Sequence, residues 1–176
     1  MDRRKMKGMI LGFIGTLAVG VWLLGLVAQV GAETLNFKFV SHTTRNEVFP
    51  VGDTEGHNVG INVREGAVIF ASGELAWMKA INSFEGVKGV TAFDQYYTVT
   101  FQDGSKITAR TKGTQQAAPA GAAPSSKWAG EIINGTGRFQ GIKGTAAAEI
   151  KFLPPKDELG LTAFGEATFN YTLPSK

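Results

Sequence analysis

The chain has 176 residues, with 18 basic and 15 acidic side chains, 43% hydrophobic residues, 10% aromatic residues, 23 glycines and no cysteine. That composition fits one globular domain and excludes a disordered, collagen-like or low-complexity chain, because aromatic residues are frequent and apolar alternation runs through most of the sequence. The missing cysteine removes disulfides, thiolate nucleophiles, zinc ribbons and iron–sulfur ligation together.

The excess of basic charge is local. Residues 1–32 hold four of the 18 basic side chains (Arg3, Arg4, Lys5, Lys7) and one of the 15 acidic ones (Asp2), which leaves 14 of each in residues 33–176. With no basic stripe to neutralise phosphates, no nucleic-acid partner is expected. The leader has a cationic start, an apolar run from Met9 to Val30, and Val30-Gly31-Ala32 before Glu33. It reads as a signal peptide cleaved after Ala32. The alternative is an uncleaved membrane anchor helix through residues 9–30, since about 20 apolar residues suffice to span a bilayer. Either way residues 33–176 are expected outside the cytoplasm, secreted or periplasmic if cleaved and membrane-tethered if not.

Beyond the leader, period-two alternation bounded by glycine or proline predicts an all-β domain over residues 33–176. Leu35, Phe37 and Phe39 share one face of a first strand, and residues 43–56 read as a loop. Strands follow over 57–64 and 67–78, joined across Arg64-Glu65-Gly66, and over 91–102. At Gln102-Asp103-Gly104 a three-residue hairpin loop with Gly104 left-handed pairs Val99 with Ile107 and Tyr97 with Ala109, keeping apolar residues on one face. Residues 113–126 are rich in alanine and proline and read as an exposed loop. Strands resume over 127–133, 145–153 and 161–173, with Pro154-Pro155-Lys156-Asp157 turning between the last two. Phe84-Glu85-Gly86-Val87-Lys88-Gly89 echoes Phe139-Gln140-Gly141-Ile142-Lys143-Gly144, each phenylalanine being expected to plug a barrel end. So many strands without crossover helices leave a sandwich or a closed barrel, and the barrel is preferred.

Chemistry-bearing candidates are few. Glu74 interrupts the apolar run Val68–Met78; facing a closed cavity it would have a raised pKa and could shuttle protons, while facing solvent it would leave Leu75 and Trp77 inward. Tyr97 could assist it. Trp77, Tyr97, Phe101, Trp128 and Phe169 either line an apolar pocket or fill the interior. Asp53, Glu55 and His57 would face one way if extended, but Gly52 and Gly56 point to an irregular solvated loop, so no metal site is assigned. His42 reads as an ordinary polar residue.

The segment Asn134-Gly135-Thr136-Gly137-Arg138-Phe139-Gln140-Gly141-Ile142-Lys143-Gly144 resembles the Gly-Thr-Gly-x-Phe-x-Gly-x-x-Gly signature of the allene oxide cyclase-like and dirigent-like β-barrel superfamily. The resemblance implies a single eight-stranded antiparallel barrel with an apolar cavity, in which Gly135, Gly137, Phe139, Gly141 and Gly144 are structural. It also implies a homo-oligomer and, in enzymatic members, cofactor-independent steering of a reactive hydrophobic intermediate. Plant allene oxide cyclases use a cysteine that is absent here, and the chain looks most like exported bacterial barrels of this type. The expected function is therefore binding of a small hydrophobic ligand without an evident catalytic set. The alternatives are an isomerase or cyclase, or a structural cell-envelope domain.

Overall fold

A computed structural model describes residues 31–118, 122–153 and 161–175. The leader of residues 9–30 and the Pro154–Asp157 turn lie outside the described residues, as do residues 119–121 of the alanine- and proline-rich stretch. Eight antiparallel strands close into a barrel in chain order: β1 Glu33–Pro50, β2 Asn58–Phe70, β3 Leu75–Val87, β4 Val90–Phe101, β5 Lys106–Gln116, β6 Ser125–Thr136, β7 Lys143–Phe152 and β8 Thr162–Thr172. β8 returns to β1 in register from Glu33↔Tyr171 to His42↔Thr162, which closes the sheet on itself.

Several strands run further than alternation alone predicts. β1 continues to Pro50 because a bulge between Thr43 and Arg45 shifts the period and lets residues 45–50 pair with Asn58–Val63. Strand Ala67–Met78 is in fact two strands: β2 runs unbroken through Arg64-Glu65-Gly66 to Phe70, and the chain reverses at Ala71–Glu74. Gly113–Gln116 and Ser125–Ser126 belong to strands instead of a loop, Ser126 being buried with its hydroxyl donating to the Thr114 carbonyl at 2.9 Å. The β4–β5 hairpin has the expected register, Val99↔Ile107 and Tyr97↔Ala109, with Gly104 at φ 80°.

The two ends of the barrel differ. The plugged end carries the β2–β3 and β4–β5 turns and the β6–β7 link, whose single 3-10 turn, Gly137–Phe139, drops Phe139 into the barrel. Its ring lies 4.8 Å from that of Phe101 and 6.2 Å from that of Tyr171. Gly137 permits this entry: its φ of 60° disfavours a side chain, and a Cβ would collide with Ser105. Arg138 caps the plug from outside, its guanidinium 4.5 Å above the Phe101 ring and 2.7 Å from the Glu74 carboxylate. Phe84, the echo of Phe139, does not plug the other end; it lies within β3 with its ring packed over Gly60, directly across the strand pair.

Phe139 and the exposed Trp77 provide a contrast. Phe139→Ala should cost about 3–5 kcal/mol in urea unfolding, as for other buried phenylalanines. Trp77→Ala, on the outer face at 71% exposure, should stay within about 0.5 kcal/mol. Equal costs would contradict the plug.

Candidate functional site at the open end of the barrel

Parity decides what faces inward. On β4, Phe93, Gln95, Tyr97, Val99 and Phe101 alternate with outward side chains, and β3 likewise turns Ala76, Met78, Ala80 and Asn82 inward. From the plugged end to the middle these inward residues form a packed aromatic column: Phe70 stacks on Phe101 at 5.2 Å, Phe37 meets Phe169 edge-on at 5.0 Å, and Trp128 lies 5.2 Å from Tyr97. Toward the open end the same parity delivers polar side chains. Ser41, Asn82, Gln95, Thr111 and Ser126 are all buried, and each continues an alternation that is apolar deeper in its strand.

There the barrel holds a cavity of about 450 Å³, lined by Asn62, Arg64, Asn82, Gln95 and Ser126 together with the apolar Phe84, Phe93, Ile150 and Phe152. Its polar groups are cross-linked. Asn82 Nδ2 donates to Asn62 Oδ1 at 2.6 Å and Gln95 Nε2 to Thr111 Oγ1 at 2.8 Å. Arg64 spans from β2 to the start of β8: Nη2 donates to the Leu161 carbonyl at 2.8 Å and Nη1 to Thr43 Oγ1 at 3.0 Å. Burial pushes its guanidinium down to about 10, which leaves it cationic at neutral pH. A wider depression of about 1210 Å³ takes in outward-facing Lys112, Lys127, Glu149 and Glu166 along with Trp128; because it mixes outer and inner faces it is not an interior chamber.

The candidate residues read from the sequence are scattered relative to this cavity. Glu74 sits in the turn at the plugged end, paired with Arg138, so it neither interrupts a strand nor faces the interior. Leu75 and Trp77 point outward, half and 71% exposed, because in β3 the alternate positions Ala76, Met78 and Ala80 are the ones that face inward. Trp77 therefore cannot share an interior pocket with the others. Phe101, Trp128 and Phe169 are buried in the packed column and do not line the 450 Å³ cavity. Tyr97 is 1% exposed among Phe37, Phe39, Trp128 and Phe169, and its hydroxyl has no hydrogen-bond partner among the described residues. Burial drives its pKa far upward, so it stays protonated and can donate a proton in a hydrogen bond without serving as a base.

Asn62, Arg64, Asn82, Gln95, Thr111 and Ser126 were not among the sequence candidates. The signal was available, since Asn82 shares parity with Met78 and Ala80, and Gln95 with Tyr97 and Val99. The glycine motif takes its structural place: Gly137 and Gly141 have positive φ, and Gly135 and Gly144 lie against backbone that a Cβ would strike.

His57 closes the β1–β2 connection at the same end. Its ring nitrogens meet Asp53 at 2.5 Å and Glu85 at 2.9 Å, while Glu55 is exposed and takes no part. Among the described residues no group of three or more His, Cys, Asp or Glu side chains is placed to hold a metal ion.

In fold the chain is similar to dirigent proteins. The pterocarpan synthase dirigent protein GePTS1 aligns over 82% of this chain and 92% of its own at 15% identity and a TM-score of 0.49. The corresponding PsPTS1 aligns over 82% and 97% at 13% identity and a TM-score of 0.48. No family model matches the chain, and no curated protein does.

The His57 bridge sets a pH dependence. Hydrogen bonds donated to the carboxylates of Asp53 and then Glu85 raise the His57 pKa above its ordinary 6.5, and accepting one from His57 lowers that of Asp53. A raised folded pKa stabilises fully below the unfolded value and is lost as pH rises through the folded one; a lowered carboxyl contributes above about 3.8 and is lost as pH falls through its folded value. The Tm advantage of the wild type over His57→Gln should therefore peak between about pH 4 and 6.5 and shrink at higher and lower pH. An advantage that grows as pH rises above 6.5 would refute the bridge.

Proposed function

We propose that this protein is an exported barrel that binds one small, largely apolar molecule through its open end, without a catalytic set or cofactor. The observation that carries the reading is the asymmetry of the interior. Aromatic side chains pack one end and the middle, whereas a 450 Å³ cavity with apolar walls and a few hydrogen-bonding groups remains at the other. Ligand sites have that make-up, in which apolar walls supply affinity and a few polar groups fix orientation. Export rests on the leader.

One observation favours a second reading, a cofactor-independent isomerase or cyclase. The Tyr97 hydroxyl is buried without a partner among the described residues, and such a group costs stability unless something uses it. In that reading it donates a hydrogen bond to oxygen on a reactive intermediate held above the aromatic column. Glu74 has no part in it.

The binding reading is tested with N-phenyl-1-naphthylamine, a neutral apolar fluorophore. It should bind saturably at about one per chain, and Asn82→Trp, which fills the cavity, should weaken it by about tenfold or more. Trp77→Ser should leave it unchanged. Absence of saturable binding, or loss in the Trp77 variant alone, would sink the reading.

A further inference from the structure

We infer that the ligand is an amphipathic organic acid whose carboxylate is held by Arg64, with its apolar body among Phe84, Phe93, Ile150 and Phe152. This inference rests on the binding reading and names the class of molecule bound.

Charge around the cavity motivates it. The hydrogen bonds of Arg64 go to uncharged oxygens: the Leu161 carbonyl at 2.8 Å, Thr43 Oγ1 at 3.0 Å, the Ser41 carbonyl at 3.3 Å and Ser41 Oγ at 3.4 Å. Among the described residues no carboxylate lies within ion-pair distance of its guanidinium, whereas Arg45 and Arg110 each have one and Arg138 has two. Those three are exposed pairs on the outside, where water screens charge and pairing matters little. Arg64 is the arginine for which an anion matters most, because it is drawn in from solvent and packed 5.4 Å from the centre of the Phe152 ring.

The remaining lining does not supply the missing charge. Thr43, Asn62, Asn82, Thr91, Gln95, Gln115 and Ser126 are neutral, and Arg45 is already paired with Glu47. A guanidinium has five N–H donors; four hydrogen bonds leave one on Nη1, and the contacts of 3.3 and 3.4 Å to Ser41 are long enough to be exchanged for better acceptors. One planar cation with one free donor suits a monoanionic carboxylate. A phosphate dianion calls for more positive charge than the cavity walls provide. The neutral amides of Asn62, Asn82 and Gln95 accept or donate to whatever oxygens accompany that head.

Displacement of N-phenyl-1-naphthylamine by decanoate, decanol and methyl decanoate at pH 7.5 tests the assignment. Decanoate should compete about tenfold more tightly than either neutral analogue, as one charge-assisted hydrogen bond provides. Arg64→Gln should abolish that preference while still binding the fluorophore, and Arg64→Lys should retain part of it. Should Arg64→Gln fail to fold, the wild type still decides, because the preference must vanish as decanoate is protonated below about pH 5. If the fluorophore binds but acid and alcohol compete equally, the carboxylate assignment fails and the binding reading stands. If the fluorophore does not bind, the binding reading itself fails.

Discussion

Closure of eight strands leaves an interior just wide enough for one side chain from every second residue, and that space constraint organises the rest of the molecule. Inward residues cannot all be large. The barrel meets the limit by setting aromatic rings directly across strand pairs from glycine: Phe39 opposite Gly165, Phe84 opposite Gly60 and Phe93 opposite Gly113. In each pair the ring occupies the volume where the glycine Cβ would stand, so backbone hydrogen bonds that glycine leaves bare are covered by a ring face. Ala76, Ala80, Ala109, Ala146, Ala148 and Ala167 make room in the same way for Phe37, Tyr97, Trp128 and Phe169.

The same constraint explains why the two ends differ. At the plugged end the link after β6 is shaped to return Phe139 into the barrel, and Arg138 covers it from above. At the open end no such plug stands among the described residues, and inward positions are taken by Ser41, Asn62, Arg64, Asn82, Gln95, Thr111 and Ser126. Polar groups so placed satisfy one another in pairs, as Asn82 with Asn62 and Gln95 with Thr111, which fixes the mouth in one arrangement. Among the described residues Arg64 and the Tyr97 hydroxyl are the two exceptions, one without a counter-charge and the other without a hydrogen-bond partner. The proposed binding function accounts for the first, since an anionic ligand would meet the Arg64 charge, and cavity walls rich in phenylalanine fit its apolar body.

Much of the architecture was legible in the sequence because period-two alternation is a local signal. The β4–β5 hairpin illustrates it: only a three-residue loop keeps Val99, Ile107, Tyr97 and Ala109 on one face, and that register is found. Strand limits were less legible where alternation breaks for a reason that local pattern does not carry. The bulge at Thr44 reverses parity inside β1, and the tight reversal at Ala71–Glu74 has only one glycine to mark it. That second omission misplaced Glu74, since joining two strands into one turns a turn residue into a strand position. The polar cavity was missed because attention to aromatic residues finds the packed column, whereas polar residues in register with a core stripe identify its open end.

The division of the interior into a packed column and an open polar chamber is tested most directly by thiol accessibility, for which a chain without cysteine is a clean background. Asn62→Cys and Val99→Cys both place a thiol inward, the first in the cavity lining and the second at 1% exposure in the column. Under native conditions a small maleimide should label the Asn62→Cys protein rapidly and the Val99→Cys protein only on global unfolding, with decanoate slowing the first reaction and not the second. Equal labelling of both, or protection of both, would contradict the account.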